Sequence, residues 1–197
     1  MADIRVTPLD PADYRRSPWK NGGGVTTDIA DEYRPGATPG DWDGVIWRLG
    51  RTAIVSPAPF SDLSGFDRIQ AVVAGRGLVL ETPGGTIDVR EPFRPVRFGG
   101  ETPIASRLEA GPVEVVNLIG DRAAVRLDMV FLIEDESRTL GPGTHIVYAP
   151  TGPATLTDAR HRHALAAEHA VRIDTTEAAA LCCDAGLALI ASIARLA

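Results

Sequence analysis

From Ile69 to Phe98 the chain meets a turn signal every few residues: Gly75-Arg76-Gly77, then Pro83-Gly84-Gly85, then Glu91-Pro92. Helix interiors tolerate neither glycine nor proline cheaply. The segments between the breaks, Ile69 to Ala74, Leu78 to Glu81, Thr86 to Val89 and Phe93 to Phe98, therefore read as short antiparallel strands. Such a chain must close or stack its sheets to hide their edges. This spacing limits the fold more than any other feature. With 20 glycines and 15 prolines in 197 residues, the chain is turn-rich but well short of disordered composition.

The same pattern extends in both directions. Ile4 to Leu9 alternates apolar and polar residues, and Asp10 to Arg16 reads as a connection holding one helical turn. Val25 to Ala30 and Val45 to Val55 are strand-like, with the loop Arg34 to Asp43 between them. Pro103 to Leu108 and Val113 to Ile119 continue the run. In the second half Leu127, Met129, Phe131 and Ile133 alternate with polar residues, the signature of a half-buried strand. Thr144 to Ala149, Ala154 to Thr157, His163 to Ala167, Val171 to Ile173 and Ala178 to Cys183 follow. Ala188 to Leu196 has helical composition but follows the turn Asp184-Ala185-Gly186, and is read as a closing strand. The predicted class is all-β, in two successive barrel or sandwich units, 1–120 and 121–197.

Formal net charge is −6 and the arginines are scattered, which argues against a phosphate-backbone ligand and so against nucleic acid. The only cysteines, Cys182 and Cys183, form no spaced framework, so an oxidising compartment is not indicated. No apolar run reaches membrane-spanning length, and Met1 to Val6 does not resemble a signal peptide. The expectation is a cytoplasmic protein with no membrane partner.

The residues 17–27, Ser-Pro-Trp-Lys-Asn-Gly-Gly-Gly-Val-Thr-Thr, stand out. Lys20 is the only lysine in the sequence. It lies between Trp19 and Asn21, ahead of Gly22, Gly23 and Gly24. A cation, an amide and accessible backbone N–H groups suit an anionic or carboxylate-bearing small molecule. A tight turn with Asn21-Gly22 at its corner explains the same residues, and both readings stay open on the residues alone. A P-loop needs its lysine after the glycines, and a dinucleotide fingerprint fails at Thr27.

Three further polar residues sit in strand-like surroundings. Arg48 follows Trp47 on the opposite face of its strand. Arg68 ends the polar loop from Phe60 through Ser61 and Gly65. Asn117 alternates with apolar neighbours. The arginines can serve as forks for a carboxylate or as intramolecular ion-pair partners. His161, His163 and Glu168 reproduce an HxHxxxxE spacing, with His145 a further candidate ligand, but the order of segments is reversed relative to metal-binding cupins and Thr155 stands where a glycine belongs. No metal and no cofactor is expected.

These segments, in this order, resemble the HutD/Ves family. Its proline-tryptophan-lysine-asparagine-triple-glycine run is matched by Pro18 to Gly24, with Thr26-Thr27 following. Its tryptophan-arginine strand is matched by Trp47-Arg48. Pro59-Phe60-Ser61, Gly65 and Arg68 match its proline-phenylalanine-serine loop, Phe98-Gly99 its later turn, and Asn117 the asparagine of its late first-half motif. The resemblance implies a bicupin: two β-barrels or jelly rolls, the second smaller and degenerate. It further implies a sensor or modulator of bacterial histidine utilisation, binding a small carboxylate such as urocanate or formylglutamate. The binding set it points to is Trp19, Lys20, Asn21, Gly22, Gly23, Gly24, Arg48, Ser61, Arg68 and Asn117. Lys20 would hold one carboxylate, the glycine N–H groups would complete an anion nest, and Arg48 and Arg68 would hold a second acidic group. A homodimer is a family expectation. Two alternatives remain: a metal-independent isomerase or lyase on the same scaffold, and an interaction protein with a vestigial pocket.

Overall fold

The alternating segments form strands because each can bury one face and leave the other to solvent. The computed structural model describes residues 4–196, and among these the only helical element is one 3-10 turn, Pro11–Asp13. The chain divides into two compact units. One runs from Tyr14 to Val125; the other joins the residues up to Asp13 to the chain from Arg126 onward. No helix of the described residues is long and apolar enough to cross a membrane.

The N-terminal strand β1 (Ile4–Leu9) belongs to the second of these units. The strands of the unit Tyr14–Val125 are β2 (Arg15–Pro18), β3 (Val25–Tyr33), β4 (Val45–Ile54), β5 (Phe66–Ala74), β6 (Leu78–Thr82), β7 (Gly85–Val89), β8 (Val96–Gly99), β9 (Ala105–Leu108) and β10 (Val113–Asp121). They make a six-stranded sheet in the order β2-β3-β4-β10-β5-β8 and a three-stranded sheet β7-β6-β9. Ile54, Val72, Val113 and Val115 from the larger sheet share one buried cluster with Leu78, Leu80 and Val89 from the smaller. The unit is thus a two-layer sandwich with a core between its sheets.

The other unit adds β11 (Val125–Ile133), β12 (Ser137–Leu140), β13 (Gly143–Tyr148), β14 (Ala154–Asp158), β15 (Arg162–Leu165), β16 (Ala170–Thr175), β17 (Ala179–Ala185) and β18 (Leu187–Arg195). Its sheets are β1-β16-β13-β18-β11 and β12-β17-β14-β15. Val147, Ile173 and Ile190 of the first meet Leu156, Leu181 and Cys183 of the second in its core.

Both halves are therefore β, as the turn spacing requires, and Ala188 to Arg195 is strand as part of β18, which lies between β13 and β11. The division expected from the sequence is 1–120 and 121–197; the break lies between Val125 and Arg126, and the first strand goes with the second half. β1 pairs antiparallel with β16, Ile4 opposite Thr175 and Leu9 opposite Ala170, so the first strand completes the unit built from the second half. The reason is register across a long chain separation, which no local pattern encodes. The strand count also means that the second unit, although shorter in chain, matches the first strand for strand among the described residues. β12 escapes the alternation rule because Ser137, Arg138 and Thr139 are exposed on an edge strand paired only to β17.

Candidate functional site

The site in the unit Tyr14–Val125 grows from the two-residue period of three adjacent strands. In β4 and β10, Arg48 lies opposite Ile119, Gly50 opposite Asn117, and Thr52 opposite Val115. On the other side of β10, Ile119 lies opposite Arg68 and Asn117 opposite Gln70 of β5. Directly opposed residues of an antiparallel pair project to the same face. Arg48 and Arg68 thus flank Ile119 from neighbouring strands, and Asn117 sits one step deeper beside both. Trp47 faces the other way, where its indole N–H donates to Glu32 Oε2 at 2.8 Å.

Arg48, Gly50, Thr52, Arg68, Val115, Asn117 and Ile119, though not Gln70 or Trp47, line a cavity together with Trp19, Thr26, Trp42, Ile54, Phe60, Ser61 and Leu63. Its volume, about 60 Å³, is several times the roughly 10–15 Å³ that one water requires. Gly50 has a steric role here. A Cβ at that position would stand 2.3 Å from Thr26 Cγ2 and 3.4 Å from Asp28 Oδ1, so the bare glycine lets β3 side chains reach towards Arg48.

The two arginines are in opposite electrostatic states. Arg48, 2% exposed, donates through Nε to Asp28 Oδ1 at 2.5 Å, and Asp28 is itself 3% exposed. The other Asp28 oxygen accepts from Ser17 Oγ at 2.6 Å and from Arg15 Nη2 at 3.1 Å; Arg15 also pairs with Asp31. Two cations and two carboxylates close this cluster with no net charge. Arg68, 8% exposed, has no carboxylate partner among the described residues. Its Nη2 donates to Asn117 Oδ1 at 3.2 Å, and its guanidinium carbon stands 5.0 Å from the ring centroids of both Phe60 and Phe98. Burial alone pulls its pKa down to about 10, so it stays charged at neutral pH. Ring faces offset part of the desolvation of a cation, but less than a carboxylate would.

Three N–H groups on the lining residues are buried with no hydrogen-bond partner: Trp42 Nε1, Arg48 Nη1 and Arg68 Nε. Trp42 packs edge-on against Phe66, centroids 6.2 Å apart, and under the Arg48 guanidinium at 5.0 Å. An unmade hydrogen bond at a buried donor costs about 1–3 kcal/mol. Three such donors belong to residues that line one largely apolar cavity, a combination chemically suited to an acceptor-rich anion.

The glycine run is the turn of the hairpin β2–β3. Trp19 N–H donates to Gly24 O and Gly22 N–H to Trp19 O, both at 2.9 Å, with Gly22 at φ +71°. Gly23 N–H donates to Asn21 Oδ1 at 3.0 Å. The expected anion nest is therefore not formed by Gly22 and Gly23, because their N–H groups are used inside the turn. Nor do Lys20 and Asn21 line the cavity. Lys20 Nζ donates to Asp62 O at 3.2 Å, Asn21 N–H to Ser61 Oγ at 3.2 Å, and Asn21 Nδ2 to Pro59 O at 3.1 Å. These contacts clasp the turn onto the loop 59–62. Trp19 enters the cavity wall: its ring covers Gly24, where a Cβ would come within 2.8 Å, and its Nε1 donates to Thr26 Oγ1 at 3.1 Å.

Of the residues anticipated from sequence, the cavity brings together Trp19, Arg48, Ser61, Arg68 and Asn117; Lys20, Asn21, Gly22, Gly23 and Gly24 support it from outside. Trp42 was not anticipated. Its signal is a large aromatic residue in a loop otherwise rich in glycine, proline and aspartate.

The histidines of the other unit serve structure. Gly141 O can only accept, so His145 carries its proton on Nε2 and accepts from Ser192 Oγ through Nδ1, both at 2.8 Å. His163 Nε2 meets Asp158 Oδ2 at 2.9 Å. Among the described residues no group of three or more His, Cys, Asp or Glu side chains is arranged to hold a metal ion. Cys183 points into the core while Cys182 faces out, and burial raises the Cys183 thiol pKa.

Comparison with known proteins places these features in a family. The sequence pattern of the HutD family matches residues 11–191. An uncharacterized 21.2 kDa protein in the hutC 3' region of Pseudomonas putida is 36% identical over 111 residues, an alignment spanning 56% of each chain. The structure of a conserved protein of unknown function from Pseudomonas aeruginosa PAO1 superposes with a TM-score of 0.80 at 23% identity, covering 99% of this chain and 100% of that one. HutD from Pseudomonas fluorescens SBW25 (formate condition) gives 0.79 at 22%, covering 98% and 100%. Weaker likenesses to cupin-type structures, with TM-scores of 0.54–0.60, carry the architecture alone. With its family pattern running through both units, the chain belongs to the HutD family.

Proposed function

We propose that this protein binds a small carboxylate in the cavity between Arg48, Arg68 and Asn117, and acts as a sensor or modulator of histidine utilisation. The link to histidine utilisation rests on membership of the HutD family and on the Pseudomonas putida relative in a hutC 3' region. The ligand rests on one observation above the others: Arg68 is a buried cation without a carboxylate, in a cavity that it shares with two further unsatisfied N–H donors. A carboxylate supplies the missing charge and an acceptor for Arg68 Nε. The lining holds no histidine, carboxylate, thiol or lysine. Binding needs none of these, whereas general acid–base turnover draws on them, so the reading is recognition rather than catalysis.

Titration calorimetry with urocanate and with formylglutamate tests this. We expect saturable binding of at least one, reduced at least tenfold in Arg68→Met and less than threefold in Lys20→Ala. Unchanged affinity in Arg68→Met would remove Arg68 from the site, and absence of heat with any small carboxylate would remove the reading altogether.

A further inference from the structure

We infer that the occupant of this cavity is a singly charged carboxylate with a flat, uncharged body, and that the site discriminates against dicarboxylates. This rests on the carboxylate reading above and adds a charge limit to it. The cavity has two guanidinium groups but only one charge to offer. Arg48 is already matched by Asp28, and Arg15 by Asp31 and Asp28, leaving Arg68 as the uncompensated cation. A first carboxylate cancels Arg68. A second, carried into the same cavity, would be partly desolvated with no cation to meet it, which buried charge tolerates poorly.

Lys20 does not rescue the second charge. It is absent from the lining and its ammonium is engaged with Asp62 O on the outer side of the turn. The uncharged remainder of the ligand meets Trp19, Trp42 and Phe60, whose rings favour a planar body by stacking or edge contacts. Trp42 Nε1 stands unpartnered among them, so an acceptor at the edge of that body is accommodated as well.

The test is a set of matched probes measured on the wild-type protein by calorimetry: benzoate against terephthalate, acetate against succinate, and urocanate against formylglutamate. We expect the monoanion of each pair to bind at least tenfold more tightly, and benzoate more tightly than acetate. In Asp28→Asn, which exposes the Arg48 charge, the preference should shrink at least tenfold. Should that variant not fold, the wild-type probes decide alone. Dicarboxylates equal to or tighter than their partners would overturn the inference while leaving the carboxylate reading standing. A dicarboxylate preference that vanishes in Lys20→Ala would overturn it too, by placing the second charge at Lys20. Binding of none of the probes would overturn both.

Discussion

Asp28 Oδ1 and Arg48 Nε lie 2.5 Å apart on adjacent strands, both side chains almost fully withdrawn from solvent. Removing one partner of such a pair leaves an uncompensated buried charge, at about 3–5 kcal/mol. Asp28→Ala should therefore cost about that much stability, with Ser17 losing its acceptor and Arg15 one of its carboxylate partners as well. Urea denaturation of the free protein measures it. A loss under about 1 kcal/mol would mean that the pair contributes little.

Arg68 carries the opposite expectation. Its charge has no carboxylate partner in the free protein, so Arg68→Met exchanges a costly cation for an apolar side chain of similar reach. Stability of the unliganded protein should stay level or rise by about 1–2 kcal/mol. The denaturation midpoint without ligand reads this directly, and a drop beyond about 2 kcal/mol would show Arg68 to be a structural element instead.

Two glycines of the same turn should separate space from backbone strain. At Gly24 a methyl group meets the Trp19 ring at 2.8 Å, so Gly24→Ala should displace the ring, weaken ligand binding and cost about 1–3 kcal/mol. At Gly22 nothing lies near, but φ is +71°. Gly22→Ala should cost about 1 kcal/mol through the backbone alone and leave the Trp19 environment unchanged. Near-ultraviolet circular dichroism of both variants distinguishes the two effects.

A pH dependence follows from His145. Burial is the main influence and holds its pKa below the ordinary 6.5, despite the Gly141 carbonyl. The unfolded chain then takes up a proton at a higher pH than the folded one. Its contribution to stability is complete above about 6.5 and is lost as pH falls through the folded pKa. Asp158 and Asp174, held below the ordinary 3.8 because their hydrogen bonds outweigh burial, lose theirs at still lower pH. Thermal midpoints from pH 8 to 5 should fall for the wild type and fall less steeply for His145→Gln. Parallel slopes would exclude His145 as the source.

Part of the cavity lining is legible in the sequence. Alternation placed Arg48 opposite Trp47 and set Asn117 among apolar neighbours, and a period of two needs no long-range knowledge. Lys20 lies off the cavity wall while Trp19 joins it, because residue type reports chemistry, not direction, and neighbours in a hairpin turn point to different sides. Gly22 and Gly23 spend their N–H groups within their own turn, which residue type alone does not report. Trp42 was missed because its loop has no period to read, and the pairing of Asp28 with Arg48 depends on a register that also requires Gly50 to be bare.

The pairing of β1 with β16 sets an order of assembly. Leu9 leaves the ribosome 161 positions ahead of Ala170, its partner. At about 5–20 residues per second the first strand waits roughly 8–32 s for the second. During that interval Tyr14–Val125 is synthesised as a contiguous stretch able to fold with its own contacts, while the segment at its leading end keeps its backbone groups unmatched. The unit Tyr14–Val125 thus matures early, and β1 finds its partner late.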